Sequence, residues 1–169
     1  MSILSELRAR NSPAFRGELD FLSNMYPCEI RMPDDRTYPS AEHAYVAHKS
    51  NSSRVRETVA ALRTPGEAKR FGRTMTIRPD WEDVKIPIMR EILIRKFIYD
   101  HPANLGNKLI ETGSEEIVER NIWHDNFWGV CTCTTLRCQN KKGQNQLGHL
   151  LEEVRGILLH RWGLIKETG

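Results

Sequence analysis

Residues 38–50, YPSAEHAYVAHKS, place a carboxylate, Glu42, and an amine, Lys49, seven positions apart. A carboxylic acid can hand a proton to a departing nitrogen, and an amine can attack a carbonyl-like carbon. The pair therefore has the makings of general acid and nucleophilic chemistry. On an α-helix seven residues make nearly two turns, so the two side chains point the same way about 10 Å apart along the axis. Tyr45 lies between them on that face. A direct salt bridge does not close such a gap, whereas a sugar-sized ligand does. Exposed charge pairs at this spacing are also common, and spacing alone leaves the choice open.

Other stretches carry side chains of chemical interest. DFLSNMYP (20–27) combines Phe21 with Asn24, whose amide suits either a turn that bonds its own backbone or the reading of a ligand's polar edge. HDNFWGV (124–130) offers Asp125, the stacking surface of Trp128, and Gly129, where backbone can approach a ligand closely. Trp81 in RPDWEDV shares the ambiguity of Trp128, since either indole suits a core as well as a ligand. CTCTTLRC (131–138) raises zinc, with His124 or His149 as a fourth ligand. Its C-x-C-x4-C spacing departs from the usual C-x2-C pairing, so thiols without a metal are the expectation.

These residues need elements to hold them. CEIRM (28–32) and RTY (36–38) flank the turn-forming PDD and predict a β-hairpin. Ser40 is placed to cap a helix over 41–49. A second helix is expected over 52–63. A third, over 64–73, has Thr64 as N-cap, Pro65 in its first turn and Gly72 near its end. Residues 85–99 line up Ile86, Met89, Leu93 and Phe97; 102–113 read as a helix opened by Pro102 and closed by Gly113; and 115–119 read as a short strand. The strongest period runs over 145–162, through Leu147, Leu150, Leu151, Val154, Ile157 and Leu158. The sum is an α+β fold: a mainly α-helical single domain with a small β-sheet or hairpin.

Composition narrows the class. The chain has 169 residues, 39% of them apolar, and a net charge of +3. Its length favours one domain. No apolar run reaches the roughly 18–20 residues of a membrane span. The opening MSILSELRARN is charged too early for a secretory leader, which predicts a cytoplasmic protein and, with four cysteines, no disulfides. Charge concentrates between Lys49 and Arg78, where eight basic residues face two acidic ones, 8 − 2 = +6. Such a segment suits a phosphate or a nucleic acid, and equally a solvated helical face.

Taken in order, FLSNMYP, YPSAEHAYVAHK, AKRFGR, DW, MREILIRKF, ETG, VE, DNFWG and GQNQLGHLLEEVR resemble the NADAR superfamily, also called YbiA-like, across about residues 15–160. The resemblance implies a catalytic domain over 15–162, between an N-terminal extension (1–14) and a C-terminal tail (163–169). It implies an N-glycosidase that needs no cofactor and no metal. Its substrates would be phosphorylated ribosylamino-pyrimidine intermediates of riboflavin synthesis, or ADP-ribose on guanine bases of DNA or RNA. By position, the family's acid falls on Glu42, its lysine on Lys49 and a second carboxylate on Asp125. Lys49 would attack as a Schiff-base nucleophile, with Glu42 and Asp125 moving protons. Substrate-binding positions fall on Phe21, Asn24, Tyr45, Arg73, Trp81, Trp128, Gly129 and Asn145. The cysteine-bearing loop from Cys131 to Lys142 looks longer than the bacterial pattern. The competing reading is a module that binds ADP-ribose or nucleic acid without catalysis.

Overall fold

A short β-hairpin leads directly into the helix that carries Glu42. In the computed structural model, which describes residues 3–4, 15–99, 104–138 and 141–164, β1 (Pro27–Arg31) pairs antiparallel with β2 (Thr37–Ser40). Asp34 Oδ1 accepts from the Arg36 amide at 3.2 Å and closes the turn, as the proline and aspartates predict. Ser40 ends β2 and also caps α1 (Ala41–His48), its Oγ accepting from the His43 amide. α2 (Ser53–Ala60) follows with Ser52 as its cap, and α3 (Pro65–Phe71) with Thr64 as its cap and Pro65 in the first turn. The long α4 (Trp81–Phe97) contains Pro87. These elements form one compact unit, Asn24–Ala103.

The other unit comprises Met1–Ser23 and Asn104–Gly169. It holds a 3-10 helix (Gly17–Leu22), α5 (Leu105–Glu111), the two-residue strands β3 (Arg120–Asn121) and β4 (Val130–Cys131), and α6 (Gln146–Arg161). β3 and β4 pair in parallel. The expected start of α5 at Pro102 lies outside the described residues, as does most of the 1–14 extension. The fold is mainly helical with little sheet, as expected.

Two expectations need correction. Residues 115–119 are not a strand, because side chains take the backbone groups of Ile117 and the Glu119 amide, and only the Glu119 carbonyl bonds a neighbouring strand, at the Val130 amide. Glu152 Oε1 accepts from the Ile117 amide at 2.7 Å, and Asn145 bonds Ile117 O and the Glu119 amide. Sheet pairing begins only at Arg120. In α6, Leu147, Leu150, Leu151, Val154 and Leu158 are buried, but Ile157 is 38% exposed. At 100° per residue its side chain lies about 80° from Leu147, about 20° beyond Leu150 at the margin of the stripe.

The hairpin turn also anchors α1. Asp34 Oδ2 accepts from the Tyr38 hydroxyl at 2.9 Å and from Arg36 and Arg56 Nη1 at 3.4 Å each, with only 12% of its side chain exposed. His48 Nε2 lies 3.9 Å from the same oxygen, and its Nδ1 donates to Ala44 O at 2.7 Å. Hydrogen bonds to a charged group contribute roughly 1.5–3 kcal/mol each, against about 1 kcal/mol for a serine cap. The aspartate hub therefore ties the turn firmly to β2 and α2, and it meets α1 only at the His48 ring.

Burial pushes His43 and His48 below their ordinary 6.5. Burial also opposes Asp34's charge, but the Tyr38 hydroxyl and the neighbouring cations hold it below 3.8. All three folded values lie below the unfolded ones, so stability is fully present above those ordinary values and is lost as pH falls. The melting temperature is expected to drop in two stages, from 6.5 downward through the histidines and from 3.8 downward through Asp34. His48→Gln should flatten the first stage. A melting temperature that rises on acidification through the histidine range would contradict this account.

Candidate active site

Along residues 41–50 every position is buried except two, Glu42 and Lys49. A helix packed on almost all sides leaves only its carboxylate and its amine partly open. The Glu42 amide donates to Asn24 O at 2.9 Å, tying α1 to the segment before β1. At the other end the Arg78 amide donates to Lys49 O at 2.8 Å, while Arg78 itself grips Asp80 through both carboxylate oxygens at 2.6 and 2.7 Å. Both ends of the seven-residue span are held by backbone bonds.

Lys49 Nζ lies over the Tyr45 ring at 5.2 Å from its centroid and over Trp81 at 5.9 Å. The two rings pack at 5.0 Å with a 59° tilt. The amine therefore sits on an aromatic wall built from α1 and the first residue of α4. Asn24 approaches from the same unit. Its Nδ2 contacts Met89 Sδ at 3.7 Å, while its Oδ1 is buried and accepts no hydrogen bond among the described residues. A buried orphan acceptor is costly unless something else, such as a ligand hydroxyl or N–H, satisfies it.

Burial raises Glu42 above the ordinary 4.5, against the pull of Lys69, Lys49 and Arg73. Burial lowers Lys49 below 10.5; Glu42 resists the fall and Lys69 adds to it. The two groups are thus shifted toward each other. The acid keeps its proton to higher pH, and the amine loses its own at lower pH. Both shifts favour proton donation by Glu42 and attack by Lys49.

Lys69 is a participant that the sequence reading did not single out. It lies in the basic segment, but only the packing of α3 on α1 brings it toward Glu42. Gly72 permits that approach, because a Cβ there would stand 3.0–3.1 Å from both methyls of Val46. Arg73, just beyond, is exposed. A hollow of about 640 Å³ opens past the end of α1, lined by Ser50, Asn51, Phe71, Ile77 and Arg78 among others; neither Glu42 nor Lys49 lines it.

Glu42, Lys49, Tyr45, Asn24, Arg73 and Trp81 all belong to the 24–103 unit, whereas Phe21, Asp125, Trp128, Gly129 and Asn145 belong to the other. Phe21 is fully buried, with Lys108 Nζ 5.7 Å above its ring. Asp125 Oδ1 accepts from the Phe127 and Trp128 amides at 3.0 and 2.9 Å, which shapes a turn. Trp128 stands edge-on to Phe127 at 5.0 Å. Gly129 is required because a Cβ there would lie 2.3 Å from Glu119 O. Asn145, 5% exposed, staples residues 117 and 119 to the start of α6. Each has a scaffold duty visible in its own unit.

The fold gathers three of the cysteines around one of the two candidate histidines. His124, Cys131, Cys133 and Cys138 bring one ligand atom each to within 4.8 Å of one another. His149, the other histidine considered, faces Glu152 instead. No helix among the described residues is long and apolar enough to cross a membrane.

The profile of the NADAR domain matches residues 14–159. An N-glycosidase of Nostoc punctiforme is 37% identical over 145 residues, covering 80% of this chain and 86% of that protein. A riboflavin biosynthesis protein of Vibrio vulnificus is 34% identical over 137 residues, or 80% of this chain. The chain spans only about a third (34%) of that relative's length. The Escherichia coli protein YbiA, solved by NMR, superposes with a TM-score of 0.73 at 28% identity over 99% of both chains.

The opposed shifts can be measured directly. Competitive acylation should titrate Lys49 below the other lysines, which sit near about 10.4 when unperturbed. Glu42→Gln removes the charge that holds the amine's value up, so it should lower the Lys49 value further. An unchanged or raised value in that variant would show that the two groups do not sense each other.

Proposed function

The chain belongs to the NADAR family, and we propose that it is an N-glycosidase hydrolysing the bond between the anomeric carbon of a phosphorylated ribose and the nitrogen of a base-like amine. One observation carries this reading: the two openings in the cover of α1 are an acid and an amine whose proton affinities are displaced toward each other by burial. The names of relatives, an N-glycosidase and a riboflavin biosynthesis protein, support the same class of substrate.

The chemistry follows from the geometry. A ribosylamine opens readily to an imine at C1. The neutral Lys49 amine adds to C1 while Glu42 protonates the imine nitrogen; a second proton passes to it from the Lys49 nitrogen, the C1–N bond to the base breaks, and the base leaves as a free amine. The sugar is then held on Lys49 as a protonated Schiff base. Water adds to this imine and returns one proton to Glu42; the remaining hydroxyl proton passes to the Lys49 nitrogen as the C–N bond breaks, releasing the free sugar and the neutral amine. Each bond made is matched by one broken, and the enzyme returns to its starting state.

The surroundings have matching roles. Tyr45 and Trp81 hold the amine at their ring faces, while burial lowers its proton affinity. Asn24 Oδ1 would accept from a ribose hydroxyl or a base N–H. Lys69 and Arg73 would take the phosphate. Asp125 and Trp128 have scaffold duties in the other unit, and the proposed steps do not draw on them.

The test incubates the protein with a ribosylamino-pyrimidine phosphate and, separately, with nucleic acid carrying ADP-ribosyl guanine. Base release in one arm identifies the ribose substituent. Borohydride should trap an adduct that maps to Lys49. Lys49→Ala should lose the adduct and most turnover. Glu42→Gln should cut turnover by about 10²–10⁴ while leaving binding largely intact. Full turnover in Lys49→Ala would remove the Schiff-base step and leave a direct acid–base route. Full turnover in both variants would remove the active-site assignment.

A further inference from the structure

We propose that His124, Cys131, Cys133 and Cys138 form a closed structural zinc site that binds one Zn²⁺ per chain. The four ligand atoms all lie within 4.8 Å of one another, the one such cluster of potential ligands among the described residues. His124 Nδ1 is 3.3 Å from Cys133 Sγ and 3.4 Å from Cys138 Sγ. A tetrahedral zinc with Zn–S of about 2.3 Å and Zn–N of about 2.0 Å sets that N–S separation near 3.6 Å. The group is thus almost at ligating geometry. Three thiolates and one imidazole make a soft, complete donor set that leaves no position for substrate, which is the pattern of a structural site.

The surrounding backbone is arranged to the same end. His124 has φ +70°, a left-handed conformation uncommon outside glycine that turns its ring back toward the cysteines. Cys131 ends β4, so its position is set by pairing with Asn121. Asn126 supports two ligands at once: its Oδ1 accepts from the Cys131 amide at 3.1 Å, and its Nδ2 donates to Cys138 Sγ at 3.4 Å. N–H groups aimed at ligating sulfurs are the usual outer partners of a thiolate metal site. Cys138 is buried, and the other two cysteines are partly so.

Binding would release the three thiol protons to solvent and leave the site with a net charge of −1 from three thiolates and Zn²⁺. The metal would join the turn at 124–126 to the segment after β4. It would thereby clamp both ends of the loop that presents Phe127 and Trp128. The C-x-C-x4-C spacing conceals such a site because its fourth ligand comes from before the first cysteine, across a strand pair.

The test uses the full chain, untagged, purified under reducing conditions from zinc-supplemented cells. Elemental analysis should find about one zinc per chain. Cys131→Ser, Cys138→Ser and His124→Ala should each lower it more than about tenfold, whereas Cys28→Ser should keep it. Should the ligand variants fail to fold, the native chain still decides. After chelation, one equivalent of Co²⁺ should produce the intense visible bands of tetrahedral thiolate cobalt. A reduced native protein that carries no metal and gives no such spectrum would overturn the proposal. So would zinc content unaffected by the ligand variants, or a disulfide between two of the three cysteines in the freshly purified protein. None of these readouts depends on glycosidase activity.

Discussion

The withdrawal of α1 from water is the constraint on which the 24–103 unit turns. Small residues, Ala41, Ala44 and Ala47, let neighbouring elements pack closely on it. Val46 then meets Gly72 at the end of α3. With so little of the helix left wet, the two side chains at its openings lose most of their hydration. Desolvation is the largest influence on both Glu42 and Lys49, outweighing every nearby charge. The displaced proton affinities are a by-product of packing: the same residues on an exposed helix would be an ordinary acid and an ordinary base.

Such a helix must be positioned without its own surface to steer it. The Asp34 hub, the Ser40 cap and two backbone bonds, Glu42 N to Asn24 O and Arg78 N to Lys49 O, do this. They meet the helix at its ends and leave the side of Glu42 and Lys49 unobstructed. The Asp34 carboxylate at the hub collects four donors. Asn24 Oδ1, in the segment that carries the Glu42 anchor, and His43 Nε2, within α1, are buried without a hydrogen-bond partner among the described residues.

Much of this was legible in the sequence where local chemistry decides. Ser40, Ser52 and Thr64 announce their helices, and the PDD turn announces the hairpin. The spacing of Glu42, Tyr45 and Lys49 places them on one face. Illegible were effects that depend on which elements meet. Residues 115–119 look like a strand but receive their bonds from Asn145 and Glu152, distant in sequence. Lys69 is one cation among eight until α3 docks. Asn145 and Gly129, which the resemblance puts at the substrate, also have structural duties that residue type alone does not reveal: Asn145 bonds residues 117 and 119, and Gly129 admits the Glu119 carbonyl. For the cysteines, spacing offered two histidines, His124 and His149, and only the fold shows that His124 is the one beside them.

Pro87 gives α4 a mechanical asymmetry. Lacking an amide hydrogen, it leaves the Asp83 carbonyl without its helical donor, so the opening turn is tied to the remainder by fewer bonds. The C-terminal part is fastened by Met89, Ile92, Leu93 and Phe97 in the core. The opening turn begins with Trp81, half of the wall behind Lys49. The aromatic backstop is thus mounted on a compliant spring whose far end is bolted down.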